Sequence, residues 1–261
     1  MVGDRPVTVY FIGAGPGAAD LITVRGQRLL QRCEVCLYAG SIMPSPESSD
    51  LLAFCPPDAR IVDTGPLNLE QIIAEIAAAH ADGRDVARLH SGDPSLYSAV
   101  AEQCRRLEPL GIDYEIVPGV PAFAAAAAAL RRELTVPGVA QTVTLTRVAT
   151  LSTAMPNRED LSTLAASGGT LVIHLAAHRI DAIVPQLLNG GYRADTPAAV
   201  VAFASWPDEV VLRGTLDDIA AQVHEADITR TAVIIVGNVL AAEGFTDSYL
   251  YSAERRRGAK H

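Results

Sequence analysis

The fold is decided by the stretch Val7-Thr8-Val9-Tyr10-Phe11-Ile12-Gly13-Ala14-Gly15-Pro16-Gly17-Ala18. Its first half is almost wholly β-branched or aromatic, which predicts a strand that is buried on both faces, as the strands of parallel sheets are. Its second half is a glycine-rich turn that leads towards a helix, for which Thr23 is a suitable N-cap. The stretch therefore predicts the opening strand, turn and helix of an α/β domain.

The same alternation of strand and helix continues through the first half of the chain. Further strands are expected at 35–38, 60–63, 85–89 and 114–117. Helices are expected at 24–32, 69–81, 95–107 and 121–130. Because strands joined through helices pair in parallel, this order predicts a largely parallel sheet with helices on both faces.

The pattern changes after Pro137-Gly138. Strands are expected at 142–146, 170–173, 198–201 and 232–236, with helices at 160–166 and 179–188. Strands at 200–204 and 210–213 lie so close together that only a hairpin can join them. We therefore expect an N-terminal α/β domain over 1–135, a C-terminal α/β domain with a mixed sheet over 139–245 and a tail over 246–261. A cleft between two such domains is where a small ligand is expected.

The charge balance excludes some classes of partner. The 261 residues include 21 Lys and Arg against 30 Asp and Glu, so the net charge is −9. Nucleic acids and anionic membranes require a basic surface, and the nearest candidate is the short run Arg255-Arg256-Arg257. The longest apolar stretch, 117–130, is interrupted by prolines and is too short to span a membrane. We expect no membrane helix, no targeting segment and a cytoplasmic location.

Cysteine usage gives little functional signal. Cys33 and Cys36 form one Cys-x-x-Cys pair, and a second such pair is missing. The one histidine pair at ligand spacing, His174 and His178, has no intervening Glu. We expect small buried thiols rather than a redox or metal site. His174 and His178 are possible proton-handling groups, although a core or capping role is commoner for histidine.

Three glycine-bearing turns each follow a predicted parallel strand. They are Gly13-Ala14-Gly15-Pro16-Gly17-Ala18, Ser91-Gly92-Asp93-Pro94 and Val117-Pro118-Gly119-Val120-Pro121-Ala122. Since the carboxyl ends of parallel strands share one edge of the sheet, the turns are expected to converge there on one ligand. Asp93 could be a plain helix N-cap or a counter-charge for a cationic or polyhydroxyl ligand.

The first turn matches the dinucleotide pattern G-x-G-x-x-[GA]. However, Pro16 lacks one of the backbone N–H groups that would bind a pyrophosphate, and the second strand ends in Tyr38-Ala39-Gly40 rather than in an acidic ribose ligand. A nicotinamide oxidoreductase therefore stays an alternative only.

The chain resembles the tetrapyrrole methylases, which are class III S-adenosylmethionine-dependent methyltransferases. The resemblance rests on the first turn continuing into Asp20-Leu21-Ile22-Thr23, on Ser91-Gly92-Asp93-Pro94 before Tyr97, and on Val117-Pro118-Gly119-Val120. It continues through 145–147, 171–175, 204–209 and 235–237, and so covers nearly the whole chain in order.

The resemblance implies S-adenosylmethionine as methyl donor, S-adenosylhomocysteine as product, a tetrapyrrole as acceptor and a homodimer. Because the donated methyl is already activated, it implies no metal and no nucleophilic side chain, and no catalytic residue is assigned. The cofactor contacts that it implies are Pro16, Ser91, Gly92, Asp93, Leu96, Pro121, Ala122, Leu175, Ala204, Thr231 and Ala232.

A tetrapyrrole polycarboxylate needs local positive charge on this acidic protein. The candidates are Arg88, His90, Arg147 and Arg179, of which Arg147 has the best motif support. Two further alternatives stay open: a tetrapyrrole-binding protein without turnover, and a methylase of the same family with another acceptor. Among such acceptors, RNA fits the acidic composition least well.

Overall fold

The computed structural model describes residues 7–40, 51–149, 154–245 and 247–248. They form two compact units: residues up to Ala125 with Ser205–Pro207 form the first, and the rest form the second. The division falls inside the helix Ala122–Leu130, earlier in the chain than the change of pattern at 137–138. Almost all of the expected tail, 246–261, lies outside the described residues.

The first unit contains a five-stranded sheet in the order β3-β2-β4-β1-β5, and every pair in it is parallel. Its strands are β1 (Thr8–Gly13), β2 (Val35–Tyr38), β3 (Arg60–Asp63), β4 (Val86–His90) and β5 (Asp113–Val117). Its helices are α1 (Val24–Leu30), α2 (Leu69–Ala81), α3 (Val100–Leu107) and the start of α4 (Ala122–Leu130).

Side-chain alternation along β1 explains the layers of the first unit. Val9 and Phe11 belong to a core cluster that contains residues of α2 and α3. Tyr10 and Ile12 belong to a second cluster that contains Leu29 of α1. Both faces of the sheet are therefore covered by helices, and the predicted parallel layout is confirmed.

Local capping explains which helix boundaries match the prediction. The Thr23 hydroxyl accepts a hydrogen bond from Gly26 N at 3.1 Å, and a capping box between Asn68 and Gln71 starts α2. The predicted start of α3 at residue 95 was wrong. Tyr97 and Ala99 both have φ of 54°, which is incompatible with a right-handed helix, so α3 begins at Val100.

The second unit contains a five-stranded mixed sheet in the order β6-β7-β10-β8-β9. Its strands are β6 (Val143–Arg147), β7 (Thr170–His174), β8 (Pro197–Ala202), β9 (Val210–Thr215) and β10 (Ala232–Val236), and its helices are α5 (Leu161–Ala165), α6 (Ile180–Asn189) and α7 (Ile219–Glu225). Only β6 and β7 pair in parallel within this sheet, and β8 and β9 pair as neighbouring antiparallel strands, so the mixed sheet and the hairpin are confirmed.

Helix α7 was not predicted from the sequence. This helix has seven residues, and its buried face consists of Ile219 and Val223, a spacing that gives little periodic signal in so short a segment. Among the described residues, no helix combines the length and the apolarity needed to cross a bilayer.

Candidate functional site

Three loops interlock at the carboxyl edge of the first sheet, where β4, β1 and β5 are neighbours. We name them the first loop (13–18), the second loop (91–94) and the third loop (118–121). Gly15 N donates to Gly92 O at 3.2 Å, and Gly92 N donates to Gly15 O at 2.8 Å. A Cβ on Gly13 would lie 2.5 Å from Gly119 Cα, so these two backbones are in direct contact. The predicted convergence of the three loops is confirmed.

The glycines serve two different physical needs. Gly15 and Gly92 have φ of 82° and 64°, a region that other residues rarely adopt. Gly13 and Gly119 are needed instead because any side chain would collide with backbone atoms that cannot move independently. The glycine pattern therefore holds the loops against one another.

Three backbone amides of the first loop are already used within the protein. Ala14 N donates to His90 O at 2.8 Å, Gly15 N donates to Gly92 O, and Ala18 N donates to Ser205 Oγ at 3.0 Å, while Pro16 has no N–H group. A pyrophosphate-binding loop must offer its amides to the ligand. The first loop therefore does not fit the dinucleotide alternative.

Asp93 ties the second loop to the third. Its Oδ2 accepts from Gly119 N at 2.7 Å, and its Oδ1 accepts from the backbone N and the hydroxyl of Ser95. Partial burial raises the pKa of Asp93, but the hydrogen bonds from Ser95 and Gly119 outweigh it and leave the pKa below its ordinary value. The N-cap interpretation is wrong because α3 begins only at Val100. Asp93 places a fixed negative charge where the loops meet.

The other cofactor contacts expected in the first unit lie on or next to these loops. Pro16 is buried, and a Cβ on Gly92 would lie 3.4 Å from Pro121 Cα. Ser91 is exposed, while Leu96, Pro121 and Ala122 are half-buried. The structure thus brings these residues to one edge of the sheet.

The contacts expected in the second unit also lie at one sheet edge. Ala232 pairs with Ala202, Val233 pairs with His174, and Phe203 N donates to Thr231 O at 2.8 Å. The ends of β7 and β8 and the start of β10 therefore lie side by side. Leu175, Ala204, Thr231 and Ala232 belong to these strand ends or adjoin them directly.

Three non-glycine residues at this second edge have strained backbone conformations. Leu175, Phe203 and Thr231 have φ of 55°, 52° and 53°, although none of them is glycine. A left-handed conformation costs such residues roughly 1–2 kcal/mol each, and strain of this kind clusters at binding and catalytic sites. Leu175 is 60% exposed and so is not a core residue, whereas Ala204 and Ala232 are buried. Phe203 was not among the site residues predicted from the sequence, because no local sequence pattern indicates its positive φ.

Arg147 and Arg179 line one cavity of about 150 Å³ in the second unit. Arg147 Nη1 donates to Val148 O at 3.1 Å, and Arg179 Nη1 donates to Ala149 O at 2.9 Å. Within the described residues neither guanidinium is paired with a carboxylate. Glu159 and Asp160 line the same cavity, and the carboxylate of Asp160 caps α5. Both arginines keep N–H donors for an anionic ligand.

Arg88 and His90 lie inside the first unit. Arg88 Nε donates to Gln103 Oε1 at 3.2 Å and Nη1 donates to Thr64 Oγ1 at 3.0 Å, and burial lowers the pKa of Arg88 to about 10. Burial, together with the charge of Arg88, lowers the pKa of His90 to about 3. Since both side chains are nearly inaccessible, contact with substrate carboxylates has more structural support at Arg147 and Arg179.

This fold and site define a class of protein. The family described as Tetrapyrrole (Corrin/Porphyrin) Methylases matches residues 8–220, which is most of the chain. The chain belongs to this family, as the resemblance predicted.

Individual relatives narrow the class. The chain is 78% identical over 249 residues to a precorrin-4 C(11)-methyltransferase of Mycobacterium tuberculosis strain H37Rv, covering 95% of this chain and 98% of that protein. It is 45% identical to a cobalt-precorrin-4 C(11)-methyltransferase of Methanocaldococcus jannaschii, covering 95% and 94%.

Solved structures agree with these relatives. A cobalt precorrin-4 methyltransferase has a TM-score of 0.87 at 38% identity, covering 92% of this chain and 99% of that one. A uroporphyrin-III C-methyltransferase of Thermus thermophilus, solved with S-adenosylhomocysteine, has a TM-score of 0.74 at 27% identity, covering 89% and 93%.

Proposed function

We propose that this protein transfers a methyl group from S-adenosylmethionine to C11 of precorrin-4, giving precorrin-5 in cobalamin biosynthesis. The observation that carries the proposal is the junction of three loops around Asp93, in a chain with 78% identity to a precorrin-4 C(11)-methyltransferase. Two sequence segments, 38–41 and 204–209, favour this branch of the family. Residue 41 lies outside the described residues.

The first unit fits the cofactor chemically. S-adenosylmethionine carries a sulfonium and an ammonium group, and the ionised Asp93 supplies a fixed opposite charge beside close-packed backbone. In this proposal Pro16, Ser91, Gly92, Leu96, Pro121 and Ala122 bind the cofactor with Asp93. For the second unit we propose Leu175, Ala204, Thr231 and Ala232 as further contacts.

In this reaction the protein binds the cofactor and the substrate and aligns them. When bound, S-adenosylmethionine supplies a methyl group already activated on sulfur. The attacking electrons come from the electron-rich substrate carbon, so the chain supplies no nucleophile. Aligning two reactants can contribute roughly 7–11 kcal/mol in well-oriented systems. The rigid hydrogen bonds around Asp93 suit that task because they leave the loops few alternative conformations.

Asp93 provides the first test. We expect isothermal titration of the purified protein to show micromolar binding of S-adenosylhomocysteine and no binding of NADH. Asp93→Ala removes the charge and the loop contacts, whereas Asp93→Asn removes the charge but keeps one acceptor, so affinity should fall in both and further in the alanine variant. Absence of S-adenosylhomocysteine binding by the unmodified protein would overturn the proposal.

A turnover assay distinguishes an enzyme from a carrier, which is a tetrapyrrole-binding protein without turnover. Incubation with S-adenosylmethionine and precorrin-4 should yield S-adenosylhomocysteine and a product heavier by one methyl group, as detected by mass spectrometry. Binding of both compounds without product would favour the carrier alternative. Running cobalt-precorrin-4 in parallel distinguishes the two acceptors; the higher identity to the precorrin-4 enzyme favours the metal-free one.

Arg147 and Arg179 are proposed to bind the substrate carboxylates, as guanidinium groups do in charge-assisted pairs. We predict that Arg147→Ala raises the KM for precorrin-4 about tenfold, or about 1.4 kcal/mol, without changing affinity for S-adenosylhomocysteine. Arg193→Ala is the control, because Arg193 is exposed and paired with Asp195. Equal losses for both ligands in Arg147→Ala would contradict this assignment.

The last part of the proposal concerns the oligomeric state and the cellular location of the protein. We propose a homodimer, which is what the family resemblance supports, and a cytoplasmic location. Light scattering coupled to size-exclusion chromatography should give twice the mass of one chain. A monomeric mass would contradict the dimer.

A further inference from the structure

Three residues from a distant part of the sequence dock on the first loop. The segment Ser205–Pro207, here named the strap, belongs to the first unit although it follows β8 in the chain. Trp206 Nε1 donates to Pro16 O at 2.9 Å. Ser205 Oγ accepts from Ala18 N at 3.0 Å. The strap therefore binds the first loop through one donor and one acceptor, although the two segments are about 190 residues apart in sequence.

Gly17 lies between these two hydrogen bonds. A Cβ at this position would come within 1.8 Å of Trp206 Cδ1 and 2.0 Å of Nε1, so the indole ring occupies the space that a side chain would need. Gly17 does not have a positive φ, unlike Gly15, and its backbone conformation does not call for glycine. Glycine at 17 is therefore explained by the indole of Trp206.

The strap also adds to the hydrogen bonding of the first loop. The second loop satisfies Gly15 N, and the strand end at His90 satisfies Ala14 N. The strap satisfies two further groups, Pro16 O and Ala18 N. Without the strap, the half of the loop that contains Pro16 would keep no partner among these contacts to hold its conformation.

We propose that Trp206 is a positioning residue for the cofactor. Its indole fixes the conformation of Pro16 and Gly17, and thereby the surface that the first loop presents to S-adenosylmethionine. This inference rests on the proposed function, because Pro16 is one of the cofactor contacts that we propose. Neither Trp206 nor the rest of the strap was predicted from the sequence to contact the cofactor.

Binding affinity and steady-state kinetics together test this role. Trp206→Phe keeps an aromatic ring but removes the N–H donor, and we expect it to weaken S-adenosylhomocysteine binding about tenfold in isothermal titration. KM for S-adenosylmethionine should rise by a similar factor, while kcat at saturation stays near that of the unmodified protein. Asp208→Asn is the control, since Asp208 is the next exposed residue outside the strap.

Gly17 supplies a second variant that does not depend on the first. Gly17→Ala should weaken binding strongly in the unmodified background, because the new methyl group displaces the indole. In a Trp206→Ala background the same change should have little further effect. Additive losses in this double-mutant cycle would show that the two residues act separately and would overturn the proposal.

Trp206 is the only tryptophan in the chain, so its fluorescence reports on the strap alone. Saturating S-adenosylhomocysteine should change its emission with a midpoint equal to the calorimetric Kd. If the unmodified protein binds the ligand but its emission does not change and Trp206→Phe binds equally well, the proposal for Trp206 fails and the proposed function stands. If the unmodified protein binds no S-adenosylhomocysteine, both fail.

Discussion

The two sheet edges differ in which residues have positive φ where the chain leaves the strands. Within the three loops at the edge of the first unit, the residues with positive φ are both glycines, Gly15 and Gly92. At the edge of the second unit, positive φ is carried by Leu175, Phe203 and Thr231, where glycine would be less strained. At the first edge, the backbones of the loops pack directly on one another. At the second edge, residues that have side chains adopt a strained backbone conformation.

This difference separates two kinds of requirement. A glycine at a backbone contact is needed for the loops to close, so its replacement should act mainly on folding. A strained leucine or threonine costs folding free energy, so its presence at such a position points to binding. Substitutions at the two edges distinguish these requirements.

Gly119→Ala should be the most damaging substitution at the first edge. The new Cβ would lie 2.1 Å from Gly92 O and 2.7 Å from Gly13 Cα, and both obstacles are backbone atoms. We expect the free energy of unfolding in urea to fall by about 3 kcal/mol. Gly83→Ala is the comparison, because Gly83 has positive φ, unlike Gly119, and a Cβ there would meet no described atom within 4 Å, so it should lose only about 1 kcal/mol. Equal losses in the two variants would show that the backbone contacts at Gly119 cost no more than positive φ at an open position.

Lowering the pH should weaken both units through one buried histidine each. His90 ends β4 and His174 ends β7, and burial lowers their pKa to about 3 and about 4, with the charge of Arg88 adding to the effect at His90. The unfolded chain, with a pKa of about 6.5, binds protons first. Stability is therefore complete above that value and falls as the pH drops towards the folded pKa.

The expected slope is up to about 1.4 kcal/mol per pH unit for each histidine. Urea unfolding measured between about pH 7.5 and pH 5.5 checks it. His90→Leu and His174→Leu should each flatten the profile, and an unchanged slope in the double variant would assign the effect to other groups.

Leu175→Asn should separate binding from folding at the second edge. Asparagine tolerates positive φ better than leucine, and Leu175 is 60% exposed, so little packing is lost. We expect the free energy of unfolding to be maintained and affinity for S-adenosylhomocysteine to fall about tenfold, or about 1.4 kcal/mol. Leu188→Asn, at an exposed and unstrained position of α6, should leave affinity unchanged. Normal affinity in Leu175→Asn would remove Leu175 from the site.

Thr231→Gly should give the smallest effect. Relief of positive φ is partly offset by the greater flexibility of glycine in the unfolded chain, so the gain in unfolding free energy should stay below about 1 kcal/mol. Asp227→Gly relieves a similar φ of 50° away from the strand ends and should give a similar gain. Only the Thr231 variant should lose affinity for S-adenosylhomocysteine. Equal affinity in both variants would argue that strain at Thr231 is unrelated to binding.

Much of the first unit was predictable because its signals are local. The bounds of β2 and α2 match the prediction, since one is a continuous buried run and the other starts at the capping box of Asn68. The convergence of the three loops also followed from the sequence, because parallel strands must end at one edge. Arg147 and Arg179 were both candidates, but only the fold shows that they share a cavity.

The remaining features depend on contacts distant in sequence. The late start of α3 reflects the conformations of Tyr97 and Ala99, and neither residue type predicts positive φ. The exposure of Leu175 contradicts the usual expectation that a leucine beside a buried strand belongs to the core. The docking of Trp206 on Pro16 joins residues 190 positions apart, and no short sequence window contains both.

The strap has a consequence for dissecting the chain. Contacts assign Ser205–Pro207 to the first unit, while its neighbours on both sides belong to the second. A gene fragment ending at Ala125 would therefore encode the whole first sheet but omit the residues that cover Gly17. Such a fragment could be completed by adding a short peptide that contains Ser205, Trp206 and Pro207. The first unit is thus encoded by two separate stretches of the gene, and recombination between them would have to preserve both.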